Sequence, residues 1–247
     1  MEKALNFKTK DRHTIYGTLN TPIKEADAVV VFVHGLTGHQ NEHFYYNAAR
    51  FFPKKGFATY RFDLYSGEKG GRALSDCTVK THASDLSIVL NQLKRKYKSI
   101  HIVGHSLGGP TIVLADISAV ASVVLWDPSD MLGLADITEG QERTLKKNKI
   151  SGRYIVDWGV EYILGNEMAQ EFKTLRPATL AGMINKPIKI IAAEKGNARA
   201  SKTYLKYANE PKELVILKKA GHTFNEGDAE DQLLKETLSW VKKWNKN

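Results

Sequence analysis

The sequence predicts an α/β protein: a mostly parallel sheet with helices on both faces. Three observations carry this prediction. Short unbroken apolar runs occur, such as Ala28-Val29-Val30-Val31-Phe32-Val33. Amphipathic helical segments lie between such runs. The two alternate along most of the 247 residues. An unbroken apolar run bounded by turns suits a strand covered on both faces, as a parallel sheet requires. Strands alternating with helices imply right-handed crossovers between parallel neighbours.

Each element follows in order. His13 to Leu19 reads as an early strand, and Ala28 to Val33 as the first buried one. Glu42 to Lys54 reads as a helix, stopped by the Lys55-Gly56 step. Phe57 to Phe62 is the next strand. In Val79 to Tyr97, Ala83, Leu86, Leu90, Leu93 and Tyr97 recur at steps of three and four and share one helix face. Strands are expected at Ser99 to Val103, Ala121 to Trp126, Pro187 to Ala193 and Glu213 to Leu217, with a helix from Gly109 to Asp116. Ala229 to Trp244 closes the chain as an amphipathic helix with Leu234, Leu238 and Val241 inward. Between Asp127 and Asn185 no strand is expected. That stretch holds Gly133, Gly140, Gly152, Gly159 and Gly165 among short helical pieces. It reads as a small helical cap, about residues 128–185, inserted into a single domain spanning 1–247.

Composition narrows the function classes. Lys and Arg exceed Asp and Glu by 36 to 27, a net charge of +9, and the hydrophobic fraction of 42% supports a real core. The basic residues form only short clusters at Lys94–Lys98, Lys146–Lys149 and Lys242–Lys246, without a nucleic-acid-binding signature, so they read as solvated faces. Cys77 is the single cysteine, which excludes an intrachain disulfide and a cysteine metal cluster. The first residues do not read as a signal peptide, and the longest apolar runs are too short to span a bilayer. The expectation is a soluble cytoplasmic protein with no membrane span and no nucleic-acid partner. Nothing in the sequence specifies an oligomeric state.

The chemistry concentrates in Gly104-His105-Ser106-Leu107-Gly108-Gly109, a G-x-S-x-G pattern directly after a strand and directly before a helix. A chain that turns so abruptly holds the central serine in a strained conformation at the tip. Gly104 and Gly108 lack a β-carbon, so neighbouring backbone can pass close to the turn. The Leu107 N–H falls at the helix N-terminus, where an unpaired donor can face developing negative charge. His34-Gly35-Leu36-Thr37-Gly38 follows the Ala28–Val33 strand, and its Leu36 N–H is the candidate second donor of an oxyanion hole. Ser106 needs a base, and histidine titrates near neutrality. Among eight histidines, His222 in Ala220-Gly221-His222-Thr223-Phe224 lies after the last strand and before the last helix. His101 falls inside a strand and His105 within the elbow. His39 and His43, four apart, lack a third ligand at convincing spacing, so no metal site is assigned.

With Tyr60-Arg61-Phe62-Asp63 added, these segments resemble the α/β-hydrolase superfamily, and most closely bacterial esterases of the cinnamoyl/feruloyl kind. The resemblance spans nearly the whole chain. It implies the α/β-hydrolase fold with an eight-stranded sheet, a serine–acid–histidine triad, no metal and no organic cofactor. It is less specific about substrate, since the superfamily spans many esters and amides; a small or medium carboxylic ester, as a small-molecule substrate, is the expected class. It also implies a structural role for Asp63, expected to bind backbone in the loop Leu64 to Arg72.

One part of the family pattern breaks. The acid usually follows the strand before the histidine strand, where this chain reads Ala192-Ala193-Glu194-Lys195-Gly196-Asn197, with Gly196 at the aspartate position. Two carboxylates can replace it. Asp127 follows the strand Ser122 to Trp126, and Trp126-Asp127-Pro128 resembles a lipase version of the motif. Glu194 is the rival, with a longer side chain. Asp127 is favoured, since geometry and not chain order defines a triad, although a residue there can equally serve to bind local backbone N–H groups. A thioesterase, acyltransferase or peptidase with the same nucleophile remains an alternative, as does a non-catalytic ligand- or partner-binding protein. Met131, Leu132, Trp158 and Tyr162 are candidates to line an acyl or aryl pocket, or to form ordinary cap core; Phe44, Tyr45 and Tyr46 pose the same choice beside the Leu36 loop.

Overall fold

Successive side chains of a strand point to opposite faces of a sheet, and in the central strands both sets are buried. The structure, a computed structural model, describes residues 1–131, 145–147, 154–157 and 161–245. Its main sheet has eight strands. In spatial order they are β1 (Glu2–Ala4), β4 (Gly17–Asn20), β6 (Ala58–Phe62), β5 (Ala28–Val33), β7 (Ser99–His105), β8 (Ser122–Trp126), β12 (Ile188–Ala193) and β13 (Lys212–Leu217). The pairings of β1 with β4 and of β4 with β6 are antiparallel. The other five are parallel. A separate pair, β2 (Phe7–Lys8) with β3 (Thr14–Ile15), packs beside the first edge.

Val29, Val31 and Val33 of β5 join Ile100 and Ile102 of β7 and Val123 and Leu125 of β8 in one core layer. Helices α2 (Val79–Leu93), α3 (Gly108–Leu114) and α5 (Ala198–Tyr207) cover it with Leu86, Leu90, Ile112 and Tyr204. The alternate residues Val30, Phe32, Val103, Val124 and Trp126 form the opposite layer. Helices α1 (His43–Phe51) and α6 (Ala229–Trp244) cover that face with Phe44, Ala48, Leu233, Leu234 and Val241. So β5 leads into a helix on one face and β7 into a helix on the other. The loops at the carboxyl ends of these neighbours therefore set off toward opposite faces, which is where an open α/β sheet usually takes its ligand.

Three sequence expectations need correction. The 128–185 segment is not purely helical. It contains a three-stranded antiparallel sheet, β9 (Leu145–Lys147), β10 (Tyr154–Asp157) and β11 (Glu161–Leu164), followed by α4 (Asn166–Thr174). These strands are three or four residues long, below the length at which periodicity separates strand from loop. The early strand expected at His13 to Leu19 is broken at Tyr16, whose carbonyl turns aside to accept the Asp63 N–H at 2.9 Å. The long helix ends at Leu93, and Tyr97 reaches the same core from the turn beyond.

α4 is tied to the body of the fold. Buried Glu171 accepts the Val79 N–H at 2.5 Å, occupying one of the unpaired donors at the start of α2. Thr78 and Thr81 complete that helix start with a reciprocal capping pair.

Candidate active site

The turn after β7 places Ser106 where these two loops part. Its φ is +51°, in the left-handed region that side chains other than glycine rarely adopt. Backbone bonds hold it there. Ser106 N–H donates to Trp126 O at 3.1 Å, and its carbonyl accepts from Gly109 N at 3.0 Å and Ser129 N at 3.1 Å. The flanking glycines are sterically required. A β-carbon on Gly104 would lie 2.6 Å from Gly108 O, and one on Gly108 would strike Val33 O.

The loop after β5 runs against this turn. A β-carbon on Gly35 would lie 3.1 Å from Ser106 Cβ. Several contacts fix the loop. His34 donates from Nδ1 to Gly35 O at 2.7 Å and accepts the Leu64 N–H at Nε2, 2.9 Å, which assigns its neutral tautomer. Burial pushes the pKa of this imidazole down to about 4. Tyr65 O–H donates to Gly38 O at 3.0 Å. Asp63 accepts from Gln40 N at 2.8 Å and from Gln40 Nε2 at 2.7 Å. Asp63 therefore grips the Gln40 end of this loop and not the backbone of Leu64 to Arg72. The sequence could not show this, because the partners are 23 residues apart.

Leu36 and Leu107 share one apolar cluster with Met131, Leu164, Met168 and Phe172, so both side chains are anchored away from solvent. Neither of their backbone N–H groups donates to another group among the described residues. Tyr162 packs partly buried against that cluster, whereas Leu132 and Trp158 lie outside the described residues. Phe44 and Tyr45 are core residues, and Arg50 stacks over the Tyr46 ring at 4.0 Å.

The structure places the two candidate carboxylates differently. Asp127, at the tip of β8 and fully buried, accepts a hydrogen bond from His222 Nδ1 at Oδ2, 2.6 Å. The same carboxylate accepts Ala193 N at 3.0 Å and Asn197 N at 2.8 Å, so Asp127 both orients the imidazole and binds backbone. A β-carbon on Gly196 would collide with Asp127 Oδ2. The glycine at the usual aspartate position thus leaves room for the carboxylate that arrives from the neighbouring strand. Glu194 points elsewhere. It is exposed and accepts from Lys219 N at 2.8 Å and from Lys218 Nζ at 3.1 Å, contacts that hold its carboxyl below the usual range.

His222 lies on the turn after β13, braced by Gly221 N–H donating to Glu226 at 2.8 Å and by Phe224 N–H donating to Gly221 O at 3.0 Å. Its ring rests against that of His105, the residue before Ser106, with centroids 4.6 Å apart. Ser106 Oγ makes no hydrogen bond among the described residues, and such a contact often tightens only when substrate binds. His105, Asn197 and Tyr65 are site residues that sequence reasoning missed. Only His105 carried a signal, its adjacency to the serine.

His39, His43 and His101 do not converge. His39 Nδ1 accepts the Asn41 N–H, His43 pairs with Glu230 at 2.7 Å, and His101 bonds Ser122 Oγ at 2.8 Å inside β7. Among the described residues no group of three His, Cys, Asp or Glu side chains is placed to hold a metal ion, and no helix is long and apolar enough to cross a membrane. Two open surface depressions, of about 360 and 430 Å³, both border Met1 and Thr21, and neither borders Ser106 or His222.

Comparison with known proteins follows the geometry. A family described as the alpha/beta hydrolase family matches residues 30–236. Est1E from Butyrivibrio proteoclasticus, solved with ferulic acid bound, is similar at a TM-score of 0.81 and 18% identity, covering 98% of this chain and 99% of that one. Dienelactone hydrolase from Anabaena variabilis gives 0.73 and 17%, covering 100% and 99%. The esterase Pf2001 from Pyrococcus furiosus gives 0.72 and 19%, covering 99% and 93%. At these identities the likeness is one of fold. No curated protein matches the chain by sequence.

Proposed function

Since the chain belongs to the alpha/beta hydrolase family, we propose that it is a serine hydrolase that cleaves a small or medium carboxylic ester through an acyl-serine intermediate. The observation that carries this reading is the Asp127–His222 bond beside a serine held at positive φ. A carboxylate on Nδ1 leaves Nε2 as the base, the tautomer that serine activation needs.

The reaction proceeds in two halves. His222 Nε2 takes the Ser106 hydroxyl proton as Oγ bonds to the ester carbonyl carbon. The carbonyl oxygen becomes an oxyanion and is met by the Leu36 and Leu107 N–H groups. The carbon–oxygen bond to the alcohol then breaks, and the alcohol leaves with the proton from His222. Water repeats the sequence on the acyl-enzyme. It gives its proton to His222, bonds to the acyl carbon and releases the acid, while Ser106 regains a proton. Buried Asp127 orients His222 and stabilises the imidazolium in each half. The 128–185 segment serves as a cap, and Met131 and Tyr162 bring its apolar side toward the Leu36–Leu107 cluster. Ferulic acid in the Est1E structure makes a hydroxycinnamoyl ester a reasonable first substrate beside short acyl esters.

A fluorophosphonate tests the reading. It should label the protein stoichiometrically at Ser106, and Ser106→Ala should lose both labelling and hydrolysis of p-nitrophenyl butyrate and methyl ferulate. Labelling that persists in Ser106→Ala would sink the assignment.

A further inference from the structure

One buried imidazole touches all three parts of the site. His105 precedes Ser106 in the chain. Its Nε2 lies 2.8 Å from His222 O, and its ring packs 4.6 Å from the His222 ring. On its other side a β-carbon on Gly35 would lie 3.4 Å from His105 Nδ1, so the Leu36 loop also runs against the ring. Phe44 closes the remaining side edge-on, with centroids 5.0 Å apart.

We infer that His105 is a positioning residue that sets the spacing between Ser106 and His222; this rests on the proposed roles of those two residues. A carbonyl oxygen only accepts, so the bond to His222 O places the proton on His105 Nε2. Nδ1 then carries a lone pair, and among the described residues it is buried without a hydrogen-bond partner. The ring acts as a neutral donor. Burial, with the His222 imidazole beside it, keeps it from taking up a second proton. It therefore does not become a competing cation when His222 is protonated during turnover. His222 is held at two points: its ring nitrogen by Asp127 and its backbone carbonyl by His105. A side chain attached one residue from the nucleophile thus locates the base, and a single rigid ring defines their separation.

Two variants separate the hydrogen bond from packing. His105→Phe keeps an aromatic ring and loses the donor. His105→Gln keeps an N–H at similar reach. His105→Phe should lower kcat by about 10- to 100-fold, the range for one lost hydrogen bond plus misplacement of a catalytic group, with KM little changed. His105→Gln should recover most of the rate. Proton NMR supplies a readout independent of turnover. The low-field His222 Nδ1–H resonance should be sharp in the wild type, broadened in His105→Phe and restored in His105→Gln. If His105→Phe does not fold, His105→Asn, whose amide is too short to reach His222 O, takes its place. Wild-type kcat and an unchanged resonance in the donor-less variant would overturn the inference, as would a folded His105→Gln no better than that variant. A wild type that neither labels with fluorophosphonate nor turns over ester would instead overturn the proposed function, and the NMR comparison would still decide the role of His105.

Discussion

Two adjacent strands end in the same backbone conformation and reach it by different means. β7 ends at Ser106 with φ +51°, and β8 ends at Asp127 with φ +42°. The Ser106 turn is held by main chain alone. Three backbone bonds fix it, and glycines on either side let Val33 and the start of α3 approach. The Asp127 turn has no flanking glycine. Its own carboxylate holds it, accepting from Ala193, Asn197 and His222, while Asn197 Nδ2 donates back to Asp127 O at 3.1 Å. At the first turn the side chain is free for chemistry because the backbone bears the strain. At the second, the side chain stabilises the turn and orients the His222 imidazole at once.

The largest expected effect breaks the second turn's chemistry. Asp127→Asn should lower kcat for a p-nitrophenyl ester by about 10³- to 10⁴-fold, since an amide does not enforce the same tautomer or stabilise the imidazolium. Glu194→Gln should leave kcat within about twofold, as expected of an exposed carboxylate whose ion pair contributes little. A crippled Glu194→Gln with an active Asp127→Asn would reverse the acid assignment. Next in size is Gly108→Ala at the first turn. Its β-carbon would meet main chain at Val33, which can yield only by moving β5. A loss of about 3 kcal/mol in urea unfolding is expected, and an unchanged midpoint would show that the turn is looser than its contacts imply.

A smaller effect tests the relation between Gly196 and Asp127. Gly196→Ala places a methyl group against the Asp127 carboxylate and should cost about 1–3 kcal/mol, together with activity. Gly196→Asp alone adds like charge to that clash. Combined with Asp127→Gly it returns a carboxylate to the usual strand end and removes the obstacle. The double variant should be at least about tenfold more active than Asp127→Gly alone, a non-additivity expected of residues sharing one volume. No rescue would mean that the loop at Gly196 has diverged too far to aim a carboxylate at His222.

The contrast between the turns also explains what the sequence disclosed. The Ser106 turn was legible because its solution is written in glycine, at fixed spacing after a buried apolar run. The buried strands were legible for the same local reason: Ala28–Val33 is an unbroken apolar run, and Ser99–His105 and Ile188–Ala193 are mostly apolar runs interrupted at His101 and Lys189. The Asp127 turn was only half legible. Its partners Ala193, Asn197 and His222 are 66 to 95 residues away, and no local pattern encodes them. β1 was missed because Glu2-Lys3-Ala4 is exposed throughout and carries no alternation. Helix α5 was missed because it buries mostly small or polar-tipped residues, Ala200, Ser201 and Tyr204, and not a leucine stripe. The strands at 145–164 are too short to show a period, and they pair with one another, not with the main sheet.

The smallest expected effect isolates the conformational strain itself. Ser106→Gly and Ser106→Ala both delete the Ser106 hydroxyl, so their difference in stability reports backbone and not catalysis. A left-handed φ costs a residue bearing a β-carbon about 1–2 kcal/mol relative to glycine. Glycine gives back part of this through its greater freedom in the unfolded chain, about 0.4–1 kcal/mol. Ser106→Gly should therefore be the more stable by roughly 0.5–1 kcal/mol in urea unfolding. Replacing the native residue by glycine should behave otherwise at Asp127. Asp127→Gly relieves the same kind of strain but leaves the Ala193 and Asn197 N–H groups unpaired where Asp127 was fully buried. Each such donor costs about 1–3 kcal/mol, so the loss outweighs the relief and the variant should be less stable than wild type. If glycine stabilised both positions alike, the carboxylate would not be what holds the second turn, and the division of labour between the two strand ends would fail.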